Sequence, residues 1–454
     1  MNTKKILAIT LIGGILGINT LPLSARTLPK KKVIQSSVTE YKFDNVNLDW
    51  WKKYNDELLE GYIVKAINNN QDLKIATLRV EESRQNVKLQ FSKELPNASV
   101  GVAPLLYKMP GVTNSESSFG LPVMVSYEAD IFLKNHDKTK SMKKLLEVSK
   151  INERAAYISV ASGVGATYFN IVKLDKLIAI QNEIIADRKQ IYTLMKQRNE
   201  QGITSTADLV RADKAYVLAT TDLLDLKKAR EVMLNSLAVL TGENPNNVDE
   251  LKRIPYDELV YQKPIPAEIS SDIITQRPDY LAAEKQVEKA GIDVRVAKKE
   301  FLPKIDILGL VFFSSGSLGG SMNWTNALSA LAGQAMLPVF TGGAKFANLR
   351  INKNKYEQVL QNYYKTNLVA IQEVNDALSN LKLDNEKYKK TLKSYDMQKA
   401  DFKYMQSRYN QGIMSGLDLL QQKENLLVID KMVASSKTDC YIDQISLYKA
   451  VGGK

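Results

Sequence analysis

The chain has 454 residues, 25% of them charged and 44% hydrophobic, which is ample for a sizeable core. Its formal charge of +12 does not point to nucleic acid, because Lys and Arg alternate with acids along helical stretches such as 383–403. The only cysteine, Cys440, excludes an internal disulfide.

In chain order, Lys4 and Lys5 precede an apolar run from Ile6 to Ile18, and Leu23-Ser24-Ala25 supplies small residues for cleavage, so 1–25 reads as a signal peptide. The run is too short for a stop-transfer helix, and no later stretch has about 18 unbroken apolar residues. An exported chain is expected. No cysteine follows the cleavage site to carry a lipid, so membrane association is expected to come from the fold.

The remainder is two copies of one unit. Residues 198–209 match 408–419 at seven of twelve positions, 210 residues apart, including Gln201-Gly202-Ile203, Ser205 and Asp208 against Gln411-Gly412-Ile413, Ser415 and Asp418. Gly242 falls on Gly452 at the same spacing, and upstream Leu95-Pro96 matches Leu302-Pro303. Each copy opens with a helix that stops at the Leu-Pro pair, since the residue before proline is pushed out of the α region. The first helices fall within 26–94, and the second copy's helix occupies 279–301.

Alternating segments follow. Ala98, Val100, Val102 and Leu106, then Phe119, Leu121, Val123, Val125 and Tyr127, share one face, with Ser99, Gly101, Gly120 and Ser126 on the other. Copy two continues with Ile305, Ile307, Gly309, Val311 and Phe313, a Gly/Ser-rich loop at 314–323, and a strand expected from Trp324 into Leu337-Pro338-Val339-Phe340. The hairpins, at 95–132 and 302–340, give four strands per chain. A single-chain membrane barrel needs about eight, so strands that span a membrane must share a barrel with other chains. Tyr107, Phe119, Tyr127, Phe313 and Trp324 suit interface girdles.

Each hairpin precedes a proline-free helical run, about His136 to Glu200 and Gly343 to Asn410, long enough to reach about 100 Å. Tyr157, Val164, Ile171, Ile178, Ile185 and Tyr192 recur every seven residues in the first; Val374, Leu381, Tyr388, Tyr395, Phe402 and Tyr409 do so in the second. Each run reverses at its Gln-Gly and restarts after Ser205 or Ser415 with an acid three residues on, as in a capping box. The helical hairpins are placed at 133–242 and 341–454, joined by a linking segment at 243–278.

These residues resemble the TolC-like outer-membrane efflux proteins, in particular the OprM/NodT-like branch that serves multidrug-type pumps. The marks are Arg277-Pro278-Asp279 with Ala283-Glu284, the strand end Tyr127-Glu128-Ala129-Asp130-Ile131-Phe132, the run 337–343, and the duplicated Gly-Ile-x-Ser turn. The resemblance covers essentially the whole mature chain. It implies a mixed α and β membrane protein: a homotrimer with a twelve-stranded outer-membrane β-barrel, continuous with a twelve-helix barrel in the periplasm, and an equatorial belt that includes 243–271. It implies an outer-membrane channel of a tripartite efflux system, a passive duct that exports small molecules, with a periplasmic adaptor, an inner-membrane pump and outer-membrane lipid as partners.

By position, the resemblance makes Gly202, Ser205, Gly412 and Ser415 the adaptor-docking tip. Asp418 takes the place of an acidic ring that constricts the closed tip; Gln421 is neutral where some members carry a second acid. Asp208 is the first-copy partner of Asp418, and Arg198, Arg408 and Tyr409 lie one turn before the tips, suited to linking neighbouring hairpins. Helix capping explains the same Gly, Ser and Asp residues without any partner. Many members of this branch carry a lipid-bearing cysteine that is absent here.

An enzyme is the competing class, and the residues argue against it: the lone His136 lies among charges, and no phosphate-binding glycine loop, Gly-x-Ser-x-Gly elbow or paired Cys/His metal spacing is present. Neither catalytic, cofactor-binding nor metal-ligating residues are expected, and no nucleic-acid partner. A type I protein-secretion duct and a periplasmic coiled-coil scaffold or adaptor remain the alternatives; the amphipathic strand pairs count against the scaffold.

Overall fold

The computed structural model describes residues 50–107, 116–246, 251–259, 271–315 and 327–453, so the expected signal peptide and Trp324 lie outside the described residues. After a 3-10 turn over Trp50–Tyr54, helices α1 (Glu57–Asn69) and α2 (Gln71–Phe91) lead into strands β1 (Asn97–Val100), β2 (Ala103–Tyr107) and β3 (Glu116–Glu128). A hairpin of α3 (Lys134–Glu200) and α4 (Thr206–Thr241) follows. The second half repeats this order with α5 (Pro278–Lys299), β4 (Lys304–Ser315), β5 (Ala327–Met336), α6 (Ala344–Asn410) and α7 (Gly416–Ala450).

The strands form one antiparallel sheet in the order β1-β3-β4-β5, with β2 also on β3. β1 and β2 are one strand in a single register, from Asn97 opposite Ser126 to Tyr107 opposite Glu116. The ladder is interrupted where Gly101 faces Pro122. Gly101 donates its N–H to the Pro122 carbonyl at 3.0 Å, and proline has no N–H to return. At the other edge, β5 stops at Met336; the strand expected through Leu337 to Phe340 is instead irregular, with Val339 and Phe340 each 89% exposed. Pro338 lies at this break and cannot donate to a ladder. Among the described residues, neither β1/β2 nor β5 has a partner on its outer side.

Each strand pair hands over to its long helix at a left-handed residue, Leu133 (φ 55°) before α3 and Gly343 (φ 82°) before α6. Asp130 then accepts from the backbone N–H groups of Lys134 and His136, at 2.6 and 2.8 Å, which satisfies two of the donors that a helix start leaves free.

Side by side, the long helices run α4-α3-α7-α6, while α2 and α5 pack on the upper part of α3. α3 carries two seams because it has two neighbours. Tyr192 stacks on Tyr216 of α4 at 6.2 Å, whereas Ile180 and Ile184 are buried with Ala219 of α4 and Leu427 of α7. The strict heptad therefore describes one flank of α3, and the deepest positions of its lower half lie beside it.

The two copies are closed at the belt by equivalent clamps. Asn70, the N-cap of α2, donates its side-chain amide to the Leu240 carbonyl at the end of α4 (2.9 Å). Its counterpart Arg277, the N-cap of α5, donates to the Ala450 carbonyl at the end of α7 (2.6 Å) and forms a fork with Asp279 at 3.0 and 2.8 Å. A cation at a helix C-terminus also suits the helix dipole. Between the clamps lies an aromatic core. Tyr168 donates to Asp56 at 2.6 Å and accepts from the Ile254 N–H at 3.0 Å, and Phe169 stacks on Tyr441 at 4.7 Å. The N-terminal segment and the linking segment are thereby bound to the helices at one level.

Gly242 (φ 72°) ends α4 against this clamp, and a Cβ there would sit 2.7 Å from the Asn69 carbonyl oxygen. Gly202 at the tip has the same φ and nothing within 4 Å of a Cβ. Gly242→Ala is therefore expected to lower the melting temperature in detergent clearly more than Gly202→Ala, whose cost is about 1 kcal/mol of backbone strain; equal shifts contradict the close approach.

Near the belt, Asp443 of α7 faces Asp384 of α6, with Asp439 and Lys387 alongside. Burial first, then the Asp384 and Asp439 carboxylates, push the Asp443 carboxyl up to about 7. Lys387 stands 3.5 Å from both Asp384 and Asp439, and Lys173 of α3 stands 3.8 Å from Asp439. The folded chain thus keeps a proton that the unfolded chain releases near pH 4. Stability from this group is full below about pH 4 and is lost as pH rises to about 7. Asp443→Asn is expected to flatten the fall of melting temperature between pH 5 and 8; an unchanged slope contradicts the shared proton.

Candidate functional site

The feature that both copies build alike is the reversal at the end of each helical hairpin. At the first tip the Gly202 N–H bonds to the Asn199 carbonyl (2.9 Å) and the Ile203 N–H to the Arg198 carbonyl (2.8 Å). The second tip repeats this with Gly412 on Tyr409 (2.9 Å) and Ile413 on Arg408 (3.0 Å). This paired closure requires a left-handed residue, and Gly202 and Gly412 supply it at φ 72° and 73°. Ile203 and Ile413, which such a turn commonly packs against its own helix, are instead more than 60% exposed.

Ser205 and Ser415 then cap α4 and α7, accepting from the N–H of Asp208 (3.1 Å) and Asp418 (3.2 Å). Each serine hydroxyl donates in turn to the same acid, at 2.7 Å in both tips. The expected capping box is thus closed through the serine hydroxyl, not through its backbone N–H.

The tips differ in charge. Asp208 forms an ion pair with Arg211, and the Ser205 hydroxyl, followed by Arg211, holds its carboxyl below the usual range. The residue equivalent to Arg211 is Gln421, and among the described residues Asp418 has no ion-pair partner. They differ in packing too. Asn199 donates to the Thr204 carbonyl at 2.9 Å, whereas its counterpart Tyr409 lays its ring on Gly416, where a Cβ would stand 3.4 Å from a ring carbon. Arg408 stacks over Tyr404 at 6.0 Å. Within one chain these contacts of Arg408 and Tyr409 stay inside their own hairpin.

The family described as "Outer membrane efflux protein" matches residues 62–243 and again 269–453, the two copies of the repeat. The chain belongs to this family. It is similar to the probable efflux pump outer membrane protein TtgC of Pseudomonas putida, 24% identical over 412 residues, 89% of this chain and 84% of the relative. It is equally similar to the cation efflux system protein CusC of Escherichia coli, 24% identical over 411 residues, 90% of this chain and 89% of the relative. The solved CmeC outer membrane channel of Campylobacter jejuni superimposes with a TM-score of 0.82 at 25% identity, over 96% of this chain and 93% of CmeC. The chain is an outer-membrane efflux channel that extends into the periplasm.

The contacts that join one helical hairpin of this outer membrane efflux protein to the other are absent from the sequence reading. A polar seam runs between α3 and α7. Asp187, 2% exposed, accepts from Lys423 at 2.8 Å; Arg188 pairs with Glu424; Lys431 bonds to Gln181, whose amide donates to the Ala219 carbonyl at 2.6 Å. Partners 236 and 250 residues apart leave no local signal, and each residue alone looks like a solvated helix flank. Lys423→Met leaves the Asp187 carboxylate buried without its cation, and is expected to cost roughly 1–3 kcal/mol. Limited proteolysis at the tips should accelerate in that variant; an unchanged cleavage rate would show that the seam does not hold the hairpins together.

Proposed function

We propose that three copies of this chain close into one duct, and that it passes small molecules delivered by an inner-membrane pump through a periplasmic adaptor seated on the Gly202/Ser205 and Gly412/Ser415 tips. The observation that carries this reading is that, among the described residues, the sheet and the helix array each end in two open edges. The sheet runs from β1/β2 to β5, and the helices from α4 to α6. Both outer helices carry exposed apolar residues at heptad spacing, Val210, Val217 and Leu224 on α4 and Leu383, Met397 and Tyr404 on α6. One edge of a copy meeting the opposite edge of the next is a head-to-tail contact, which closes into a ring. Two copies supply eight strands, whose interior side chains fill the barrel; three are the fewest that leave a lumen. The names of the relatives support a duct for small solutes, and the exposed isoleucines support a partner at the tips.

At the constriction we assign the charge to Asp418, because Arg211 neutralises Asp208 and Gln421 leaves Asp418 uncompensated. Three such carboxylates around an axis repel one another and attract cations. In planar bilayers the wild type is expected to show a small, cation-selective conductance that a trivalent cation blocks. Asp418→Ala should enlarge it at least about twofold and weaken the block, with a much smaller effect from Asp208→Ala. Equal effects of the two substitutions refute the assignment to Asp418, and failure to conduct under conditions where a known outer-membrane channel does refutes the duct.

A further inference from the structure

Where the sheet meets the helices, cations lie on both sides of the wall. Lys134, at the start of α3, pairs with Glu128 at 2.8 Å, and Glu128 shares a row with Asp306 and Gln334. That polar row lies on the face opposite Tyr127, Ile305 and Ile307, whose apolar side chains suit lipid. Nine residues make about two and a half turns of helix, so Lys143 leaves α3 on the side opposite Lys134, with Lys140 beside it. The neighbours of α3 agree with this direction. Asp137, Ser141 and Lys144 turn to α5, and Ser149 and Glu153 turn to α2. Lys140 and Lys143 are exposed on the side turned away from both. On α5, Arg295 and Lys298 are exposed three residues apart, and Lys299 holds the two helices level by donating to the Leu133 carbonyl at 3.1 Å.

The acids within reach are already paired, Asp137 with Arg295 and Lys299 (2.8 and 2.6 Å) and Glu147 and Glu288 with Lys144 (3.1 and 2.7 Å). Among the described residues, no carboxylate pairs with Lys140, Lys143 or Lys298. Between these cations and the strands stand Ile131, 64% exposed, and Leu133, 55% exposed, with Leu302 also exposed before β4. Leu133 holds φ 55°, a conformation that Gly343 supplies at the equivalent place before α6. The turn itself asks for glycine, so the leucine side chain is kept against backbone strain. These residues adjoin β3 and β4 or lie on α3 and α5, the inner members of the sheet and of the upper helix order α2-α3-α5-α6, away from the open edges.

We propose that this collar binds anionic phospholipid of the periplasmic leaflet, with the headgroup phosphates on Lys140, Lys143 and Lys298 and with Ile131, Leu133 and Leu302 among the acyl chains. The inference goes beyond the duct reading and needs only the outer-membrane placement of the sheet. Lys140 stands about 10 Å from Leu133 along the helix, within the headgroup layer, where a lysine lays its stem on apolar surface and its charge in water. An anionic headgroup gives the unpaired ammonium groups a counter-charge; a zwitterionic one cancels its own. Screening over about 8 Å confines the effect to the surface. Lys150 is on the same exposed face but about 10 Å beyond Lys143, outside the collar.

The test uses the full-length protein in phosphatidylcholine vesicles, doped with spin-labelled phosphatidylglycerol or spin-labelled phosphatidylcholine of the same acyl chains. Electron spin resonance separates lipid held at the protein surface from bulk lipid. Phosphatidylglycerol is expected to associate at least about threefold more strongly at low salt and to lose most of that preference at about 1 M salt. Lys140→Gln/Lys143→Gln/Lys298→Gln is expected to bring the two lipids to parity, while Lys150→Gln and the triple Lys→Arg variant at the same three positions keep the preference. Equal association with the wild type overturns the collar. So does a preference that survives the glutamine substitutions, or one that Lys150→Gln or the arginine variant also abolishes. Conductance separates this from the duct reading: a conducting channel without the preference refutes the collar alone, and a lipid-selective protein that never conducts refutes the duct and supports the collar.

Discussion

Along the outer sides of β1/β2 and β5, backbone N–H and C=O groups point away from the sheet, and among the described residues no strand receives them. In water such edges are tolerable; in hydrocarbon each unpaired group costs several kcal/mol. A sheet of this size in an outer-membrane protein therefore has to be completed by other copies of itself. The helix array obeys the same geometry. Its order, α4-α3-α7-α6, leaves apolar heptad positions exposed on the two outermost helices. One closure satisfies both layers.

The internal repeat makes that closure regular, and the two copies depart from it at the tips. At the belt the copies are equivalent in role: Asn70 and Arg277 each tie the start of one helix to the end of another, beside the left-handed glycines Gly242 and Gly452. At the tips the backbone is again the same, down to the bonds that close the turn, but the side chains are not. Arg211 neutralises one acid where Gln421 leaves the other free, and a tyrosine on a glycine replaces an asparagine bridge. A shared scaffold with unlike ends supports the proposal that the second hairpin carries the charge at the constriction.

Much of this was legible in the sequence, for reasons of periodicity. The long helices begin and end within about two residues of the proline-free runs His136 to Glu200 and Gly343 to Asn410, because a sustained seven-residue repeat without proline has few other ways to bury its apolar positions. The turns were legible through glycine and serine, whose chemistry is local. The break at Gly101 needs the partner strand, because the missing donor belongs to Pro122. The α3–α7 seam was hidden for the same reason on a larger scale, since each ion pair joins residues more than 200 positions apart. The division of β4 between the two faces of the sheet was hidden because Leu308 to Phe313 is almost continuously apolar, and only pairing with β3 and β5 shows that alternate members of that run belong to opposite faces.

The central claim is that the open edges of one chain are completed by two more. Native mass spectrometry of the full-length protein, released from detergent micelles under gentle activation, counts the copies directly. The account requires three chains per particle, with no stable monomer before the micelle is stripped away. A conducting preparation that contains only monomers or dimers would contradict it, because neither leaves a closed wall with a lumen inside.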